Sequence, residues 1–250
     1  MENHYTLMNA NTSFDYDKVK YLQEKIKDFA RQANIDCIGF GSFESLSDVE
    51  KVGPGSFDYP TAISMAVELP FEAIIEAKMG PSIAMRESYK VANKKMMAAA
   101  NGIAEKLKEA GYSSRVIHPA ERVDSDNLKG PVSLKAVARV CGVGWIGNNG
   151  LLMTDQFGPR VRLIAVLTDM PLIETPVLLE NNCGDCRLCI ENCALKVLKD
   201  QCFIICPPNR DGTIDWVKCG RFEARLLGKD EEPEKACGKC IAFCPLSYPS

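Results

Sequence analysis

The sequence has little excess charge, no long apolar run and no recognisable targeting segment. Its 30 Lys and Arg residues against 33 Asp and Glu residues give a net charge of −3, which offers nucleic acid and anionic membranes no electrostatic attraction. No stretch reaches the roughly 18 apolar residues of a membrane-spanning helix. Residues 1–17 lack the basic and apolar regions of a signal peptide, and no internal repeat is present. We therefore expect a cytoplasmic protein that binds no membrane.

Cysteine, by contrast, is abundant and unevenly placed. Ten of the 12 cysteines fall between Cys183 and Cys244, whereas Cys37 and Cys141 stand alone. A secreted disulfide scaffold is short and carries a signal peptide, and this sequence has neither property. Clustered cysteines in such a chain indicate metal or redox chemistry.

The apolar pattern predicts two domains. Helical spacing predicts helices over 15–33, 84–110 and 131–141, and short apolar runs predict strands over 37–41, 62–69, 113–119 and 161–169. Because helices alternate with strands, residues 1–175 are predicted to form one α/β layer domain. The proline-punctuated PLIETP (Pro171–Pro176) marks a boundary. Residues 176–250 then form a second, cysteine-rich domain.

The stretch GVGWIGNNG (Gly142–Gly150) contains G-x-G-x-x-G, the fingerprint of dinucleotide-binding loops. That fingerprint needs a strand before it and a helix after it, so that the pyrophosphate lies on the N-terminus of the helix. Here a helical pattern precedes the loop, and LLMT (Leu151–Thr154) after it predicts a strand. This reversed order disfavours a nucleotide without excluding it. Gly142 is predicted to end the preceding helix in the left-handed conformation.

The cysteine spacing is that of a bacterial ferredoxin. CGDCRLCIENC (Cys183–Cys193) reads C-x2-C-x2-C-x3-C, and CGKCIAFCP (Cys237–Pro245) reads C-x2-C-x3-C-P. In such proteins three cysteines of one run hold a [4Fe–4S] cluster and the fourth ligates a second cluster. The second run lacks one cysteine, for which Cys219 is the candidate. The predicted ligands are Cys183, Cys186, Cys189 and Cys244 for one cluster, and Cys193, Cys219, Cys237 and Cys240 for the other.

Structural zinc is the alternative, because paired C-x2-C knuckles also form tetrahedral sites. A zinc site needs no C-x2-C-x2-C-x3-C run, so the spacing favours clusters. Ala194 stands where a proline usually follows the fourth cysteine, which alters the stiffness of the turn and leaves the thiolate in place. Cys202 and Cys206 are surplus. They are compatible with small buried residues, with ligands that replace Cys219, or with redox-active thiols.

Taken together, these features resemble the epoxyqueuosine reductases, which are relatives of the reductive dehalogenases. The resemblance runs from about Asp17 to Pro245 and is carried by PVSLKAVARVCGVGWIGNNGLLM (Pro131–Met153), by VRLIAVLTDMPL (Val161–Leu172) and by the two cysteine groups in that order. It implies an α+β layer domain related to flavin nitroreductases that binds cobalamin. A fused ferredoxin-like domain with two clusters would supply electrons to it. A flavin in place of the cobalamin is the alternative cofactor.

The resemblance also implies site residues. It makes the loop part of a corrinoid pocket, in which glycines let the backbone approach the macrocycle and asparagine amides reach its rim. Trp145 would lie along the edge of the ring, or would be a core aromatic. The implied contacts are Gly144, Trp145, Gly147, Asn148, Asn149 and Gly150. Tyr89 and Lys90 stand where the family has Tyr and His, and are the expected proton donors.

The sequence departs from the family at its acidic proton donor, three positions before Pro131, where Leu128 stands. It also ends five residues after Pro245, without the extension by which the family grips tRNA. We therefore expect that tRNA is not the substrate. The expected electron donor is a low-potential ferredoxin or flavodoxin. In the first hypothesis the electrons reach a corrinoid bound to this chain, which then reduces a small substrate. In the second hypothesis the chain reduces a corrinoid that is free or held by a methyltransferase partner. The third hypothesis is that the protein is an electron carrier whose first domain is a docking module.

Overall fold

A computed structural model describes residues 15–42, 59–177, 180–200, 212–225 and 236–249. The helices are α1 (Tyr16–Gln32), α2 (Phe71–Ala77), α3 (Ile83–Glu109), α4 (Leu134–Val140), α5 (Leu188–Glu191), α6 (Trp216–Arg225) and α7 (Lys239–Ala242). The strands are β1 (Cys37–Ser42), β2 (Thr61–Glu68), β3 (Ser114–Ile117), β4 (Trp145–Ile146), β5 (Leu152–Met153) and β6 (Val161–Thr168). A 3₁₀ turn follows α7 at Pro245–Ser247.

A four-stranded sheet in the order β1-β2-β6-β3 lies at the centre, and its neighbouring strands are all antiparallel. The alternation of helices and strands along the sequence correctly predicts a mixed helix-and-sheet fold. It does not reveal the strand directions, which make the arrangement α+β. β2 and β6 pair over their full lengths, from Thr61 opposite Thr168 to Glu68 opposite Val161.

The two faces of the sheet are covered by different helices. Along β2, Ile63 and Met65 belong to the apolar core shared with α1 and α3, whereas Ala62 and Ala66 belong to a second core shared with α4. This alternation follows from the period of two in a strand. The fold therefore has three layers, with the sheet in the middle.

The long helix α3 begins and ends where the sequence predicts. The Ser82 hydroxyl caps it by accepting the Met85 N–H at 3.0 Å, and Gly111 follows its last turn with φ +88°. By contrast, α2 has no counterpart among the predicted elements, because its seven residues are too few for a clear helical period. Within the described ranges, no helix is both long enough and apolar enough to cross a membrane.

The C-terminal segment shares the main core. Ala236, Ile241 and Ala242 pack in the same apolar cluster as the buried faces of α2 and α3. Ser82 and Ala236 exchange two backbone hydrogen bonds, of 3.0 and 3.1 Å. Cys189, Val197, Leu198 and Ile214 form a separate small cluster of their own, so the predicted boundary at residues 175 and 176 stays a prediction.

The core can be tested on two residues of α3 that differ in burial. Leu107 is 0% exposed and Val91 is 67% exposed. Leu107→Ala should lower the free energy of unfolding by about 2–5 kcal/mol, because it leaves a cavity. Val91→Ala should change it by less than about 0.5 kcal/mol. Urea denaturation followed by helical circular dichroism measures both variants, and equal losses would contradict this packing.

Candidate functional site

The loop Gly142–Gly150 ends α4 and builds the small hairpin β4–β5. Gly142 has φ +68°, and its N–H bonds to the Arg139 carbonyl at 3.0 Å, which confirms the predicted helix end. Trp145 pairs with Met153 across the hairpin. A helix therefore precedes the loop and a strand follows it, which is the reverse of the strand–loop–helix order of a dinucleotide site.

Two glycines of the loop are needed for the packing of the hairpin itself. A Cβ atom at Gly144 would overlap the Met153 carbonyl oxygen, and one at Gly147 would overlap the Met153 side chain. The first of these partners is backbone, which cannot move away without breaking the hairpin. The close approach that the sequence analysis assigned to a macrocycle is thus made by the neighbouring strand.

The polar residues of the loop lie against the cysteine segments. The backbone N–H of Asn148 donates to the Cys183 thiol at 3.4 Å, and its side-chain amide donates to the Cys186 carbonyl at 3.4 Å. The Asn149 amide donates to the Cys240 carbonyl at 3.3 Å. Trp145 packs in a small apolar cluster with Met153 and Cys244. The loop therefore packs against the cysteine segments and holds them by hydrogen bonds.

The cysteines in this part of the described chain gather into two groups of four. The first group is Cys183, Cys186, Cys189 and Cys244, in which the other three thiols act electrostatically on Cys189. The second group is Cys193, Cys219, Cys237 and Cys240, in which the other three act on Cys240. Cys189 also acts on Cys240, so the two groups lie side by side. Cys202 and Cys206 lie outside the described residues.

Burial and neighbouring thiols make three of these thiols, Cys189, Cys240 and Cys244, hard to ionise. Burial raises the pKa of Cys189 to about 12 and that of Cys244 to about 11, and raises the pKa of Cys240 well above its ordinary value. Thiolates at such positions need a compensating positive charge, which a metal centre supplies. Among the described side chains, no three His, Cys, Asp or Glu residues converge closely enough to hold a single metal ion.

A cavity of about 300 Å³ opens beside the second cysteine group. Much of its wall is apolar, from Leu128, Val132, Leu134, Leu151, Leu152 and Leu163. Trp216 and Ile241 complete the wall on the cysteine side. Trp216 begins α6, the helix that carries Cys219, and Ile241 follows Cys240 in α7. The cavity and the second cysteine group therefore share two helices.

None of the loop residues predicted to contact a corrinoid lines this cavity. Those residues are Gly144, Trp145, Gly147, Asn148, Asn149 and Gly150. In this structure the polar residues of the loop bond to the cysteine segments, and their contact with a corrinoid stays a prediction. The part of the stretch that does reach the cavity is its continuation, Leu151 and Leu152.

The two expected proton donors lie in different places. Tyr89 lines the cavity, with the Arg162 guanidinium carbon 4.5 Å from the centre of its ring. Lys90 lies outside the cavity lining, and its ammonium pairs with Glu87 at 2.9 Å on the solvent side of α3. Leu128, at the position of the acid in the resemblance, lines the cavity with φ +53°.

Lys135 and His118 are among the polar residues of the cavity wall that the sequence did not indicate. The Lys135 ammonium lies 3.5 Å from the centre of the Trp216 ring and donates to the Gly150 carbonyl at 2.6 Å. The available signal was a cation in the first turn of α4, whose remaining residues apart from Arg139 are apolar. His118 Nδ1 accepts the Ala120 N–H at 3.0 Å, which leaves Nε2 to carry the proton of the neutral ring.

The chain has curated relatives in two families of reductases, although no protein-family model matches it. The epoxyqueuosine reductase of Bacillus subtilis (strain 168) is 24% identical over 272 residues, which cover 92% of this chain and 64% of that protein. The tetrachloroethene reductive dehalogenase of Dehalobacter restrictus (strain DSM 9455 / PER-K23) is 27% identical over 241 residues, which cover 91% of this chain and 39% of that protein.

The chain is homologous to both families. It spans less than two thirds of the length of either relative. A solved reductive dehalogenase, described with a mechanism for B12-dependent dehalogenation, has a TM-score of 0.70 and 20% identity over 96% of this chain and 34% of that chain. This likeness shows that the mixed α/β fold is shared with that enzyme.

The two described cysteines outside the groups, Cys37 and Cys141, should be chemically inert in the folded chain. Burial, followed by the charges of Asp36, Asp155 and Glu68, raises the pKa of Cys37 from 9.0 to about 11, and burial raises that of Cys141 further. Near neutral pH the thiolate fraction of Cys37 is then about 100-fold lower than in the unfolded chain.

Alkylation by iodoacetamide, followed by peptide mass spectrometry, measures this difference. Cys37 should react about 100-fold more slowly in the folded chain than in guanidinium chloride, and its rate should rise as the pH approaches 11. Similar rates in the two states would show that the thiol is accessible and ionised, contrary to its burial.

Proposed function

We propose that the chain is an iron–sulfur oxidoreductase that passes single electrons through two [4Fe–4S] clusters to a corrinoid at the cavity. The observation that carries the proposal is that the cavity wall and the second cysteine group share α6 and α7, through Trp216 and Ile241. A ligand in the cavity would therefore lie next to the cysteine group from which it receives electrons. The oxidoreductase relatives support the same class of chemistry.

The donor set suits iron–sulfur clusters. Soft thiolates in fours, taken from a ferredoxin-like spacing, are the usual ligands of [4Fe–4S] clusters. Electrostatic interactions link Cys189 to Cys183, Cys186 and Cys244, and link Cys240 to Cys193, Cys219 and Cys237 as well as to Cys189, which supports the two proposed ligand sets. A four-iron cluster is larger than a single ion, so its ligands stand farther apart, as the thiols do here. In this proposal residues 176–250 are the electron-delivering part, and the first group passes electrons to the second.

The cavity suits one part of a corrinoid. Its apolar wall fits the flat face of a macrocycle, and Lys135, Arg162 and Tyr89 can bond to the amides around the rim. When bound, a corrinoid supplies a strongly reducing metal centre. A cavity of about 300 Å³ is at the small end for ligand sites, so the rest of the corrinoid would lie over the cavity mouth. The same small volume makes a flavin the second candidate.

The cavity residues are proposed to position the reacting groups and to supply a proton. Tyr89 is the proposed donor, because its side chain lines the cavity and Arg162 stacks on its ring. Lys90 is not retained, since its ammonium pairs with Glu87 outside the cavity. The apolar wall excludes water, which would compete for the electrons.

The nature of Leu128 favours one of the two proposed uses of the electrons. A leucine in the wall cannot deliver a proton to a small substrate at that position. Reduction of a corrinoid, either free or held by a methyltransferase partner, needs no dedicated acid there. A tRNA substrate is the less supported alternative for the same reason. A low-potential ferredoxin or flavodoxin is the proposed electron donor.

Iron analysis tests the cluster assignment. The anaerobically purified chain should contain about eight iron and eight sulfide per chain, from two [4Fe–4S] clusters. Cys219→Ser should lose up to half of the iron, because Cys219 lies in the second group. The matched variant Cys202→Ser should keep all of it. Zinc in place of iron, or the opposite result for the two variants, would contradict the assignment.

Cobalamin titration under anaerobic conditions, followed by absorption of the corrinoid bands, tests the cavity. Leu128→Trp should weaken binding at least tenfold with the iron content unchanged, because an indole would fill the cavity that Leu128 lines. Val123→Trp, in the same loop but outside the lining, is the control.

Tight cobalamin binding by Leu128→Trp would contradict the assignment of the cobalamin site to this cavity. Binding of a flavin by the unmodified chain, without any response to cobalamin, would favour the flavin reductase. A chain that responds to neither cobalamin nor flavin would favour the third hypothesis, an electron carrier whose first domain is a docking module.

A further inference from the structure

Two neighbouring asparagines in the loop contact different cysteine groups. Asn148 and Asn149 are each 1% exposed, which is costly for an amide unless its hydrogen bonds are satisfied. Asn148 bonds to the segment of Cys183 and Cys186, in the first group. Asn149 bonds to Cys240, in the second group. One dipeptide therefore connects both groups to the hairpin.

Asn148 closes a ring of hydrogen bonds around Cys183. Its backbone N–H donates to the Cys183 thiol at 3.4 Å. Its side-chain oxygen accepts from the Asn181 amide at 2.8 Å, and the Asn181 oxygen in turn accepts the Cys183 N–H at 2.9 Å. The Asn148 amide also donates to the Cys186 carbonyl. The side chain thus holds its own backbone N–H in line with the sulfur.

Asn149 links the second group to the cavity wall. Its amide nitrogen donates to the Cys240 carbonyl at 3.3 Å, and its oxygen accepts the N–H of Leu151 at 3.0 Å. Leu151 lines the cavity. A shift of α7 would therefore be transmitted through Asn149 to the wall at which the ligand is proposed to lie.

The turn that carries both asparagines is itself held firmly. Gly150 N–H donates to the Gly147 carbonyl at 2.8 Å, and Gly147 N–H donates to the Leu151 carbonyl at 2.9 Å. The Lys135 ammonium bonds to the Gly150 carbonyl from the neighbouring helix. Because the turn is fixed on both sides, it can set the positions of the segments bonded to it.

We infer that Asn148 and Asn149 are positioning residues that fix the two cluster sites to one rigid turn, and that each residue shifts the reduction potential of a different cluster. This inference rests on the proposed function, because it requires that both groups hold clusters. Net charge and hydrogen bonds to the sulfurs are among the factors that set cluster potentials. The Asn148 backbone N–H bonds to a sulfur directly, whereas the two side-chain amides bond to the carbonyls of Cys186 and Cys240 and act as nearby dipoles. Donors near a cluster stabilise its more negative, reduced form, so loss of a donor makes the uptake of the electron less favourable.

Substitution by aspartate tests this with little change of shape. Asn148→Asp and Asn149→Asp each keep an acceptor oxygen, remove the amide donor and add a negative charge. Each variant should lower the equilibrium constant for reduction of its own cluster at least tenfold, which is a fall of about 59 mV in the potential of a one-electron couple. The potential of the other cluster should change less. Anaerobic redox titration followed by electron paramagnetic resonance measures both cluster potentials. The variants Cys186→Ser and Cys237→Ser, each altering one cluster, show which signal belongs to which cluster.

Asn101→Asp is the control, since it adds the same charge at an exposed position of α3. It lies about 24 Å along the helix from Met85, which packs beside Gly238, and should shift neither potential. Where an aspartate variant loses its structure, the alanine variants replace it. Asn148→Ala should then lose iron from the first cluster alone, and Asn149→Ala from the second alone.

The outcomes separate this inference from the proposed function. An unmodified chain that takes up no iron contradicts the proposed function and removes the basis of the inference. A chain with two clusters whose potentials and iron content are unchanged in all four asparagine variants overturns the inference alone. Equal shifts of both clusters in either aspartate variant overturn it as well, because the two residues would then act only through general charge or stability.

Discussion

Eight cysteines of the described chain lie close to one another, and holding them there is the constraint on which much of the described structure depends. Burial and the neighbouring thiols raise the pKa of Cys189, Cys240 and Cys244, so a thiolate there is costly without a compensating charge. The surrounding backbone must therefore be fixed by other contacts. The hairpin β4–β5 and its turn make these contacts, through Trp145 packed with Cys244 and through the hydrogen bonds of Asn148 and Asn149.

The same requirement explains why the C-terminal segment is built into the main core. Ile241 and Ala242 pack against the core of α2 and α3, while Cys240 in the same short helix faces the second group. A helix of four residues has little stability of its own, so its position comes from this packing. Since Ile241 also lines the cavity, cysteine group, core and cavity are parts of one rigid arrangement, which suits electron transfer over a fixed distance.

The site was only partly predictable from the sequence. The cysteine spacing predicted two cluster sites, because the short steps within each run limit which thiols one loop can bring together, whereas Cys219 lies far from both runs and its role as a ligand stays a prediction. The glycines of the loop pointed to a close approach, which the structure has, but the partner is Met153 of the neighbouring strand. A glycine pattern shows that space is needed and does not identify what fills it. Lys135, His118 and Trp216 come from separate segments, and only the fold brings them to one cavity.

The sequence by itself determined the elements and the donor chemistry of this protein. Apolar periodicity located α1, α3 and the four strands of the main sheet to within a few residues, because these depend on neighbours along the chain. The tertiary structure alone decided the antiparallel strand order, the merging of the C-terminal segment into the main core, and the orientation of the loop towards the cysteines. Those features depend on contacts between residues up to about 150 positions apart, such as Gln23 with Ile173, and no local pattern encodes which distant surface a segment will meet.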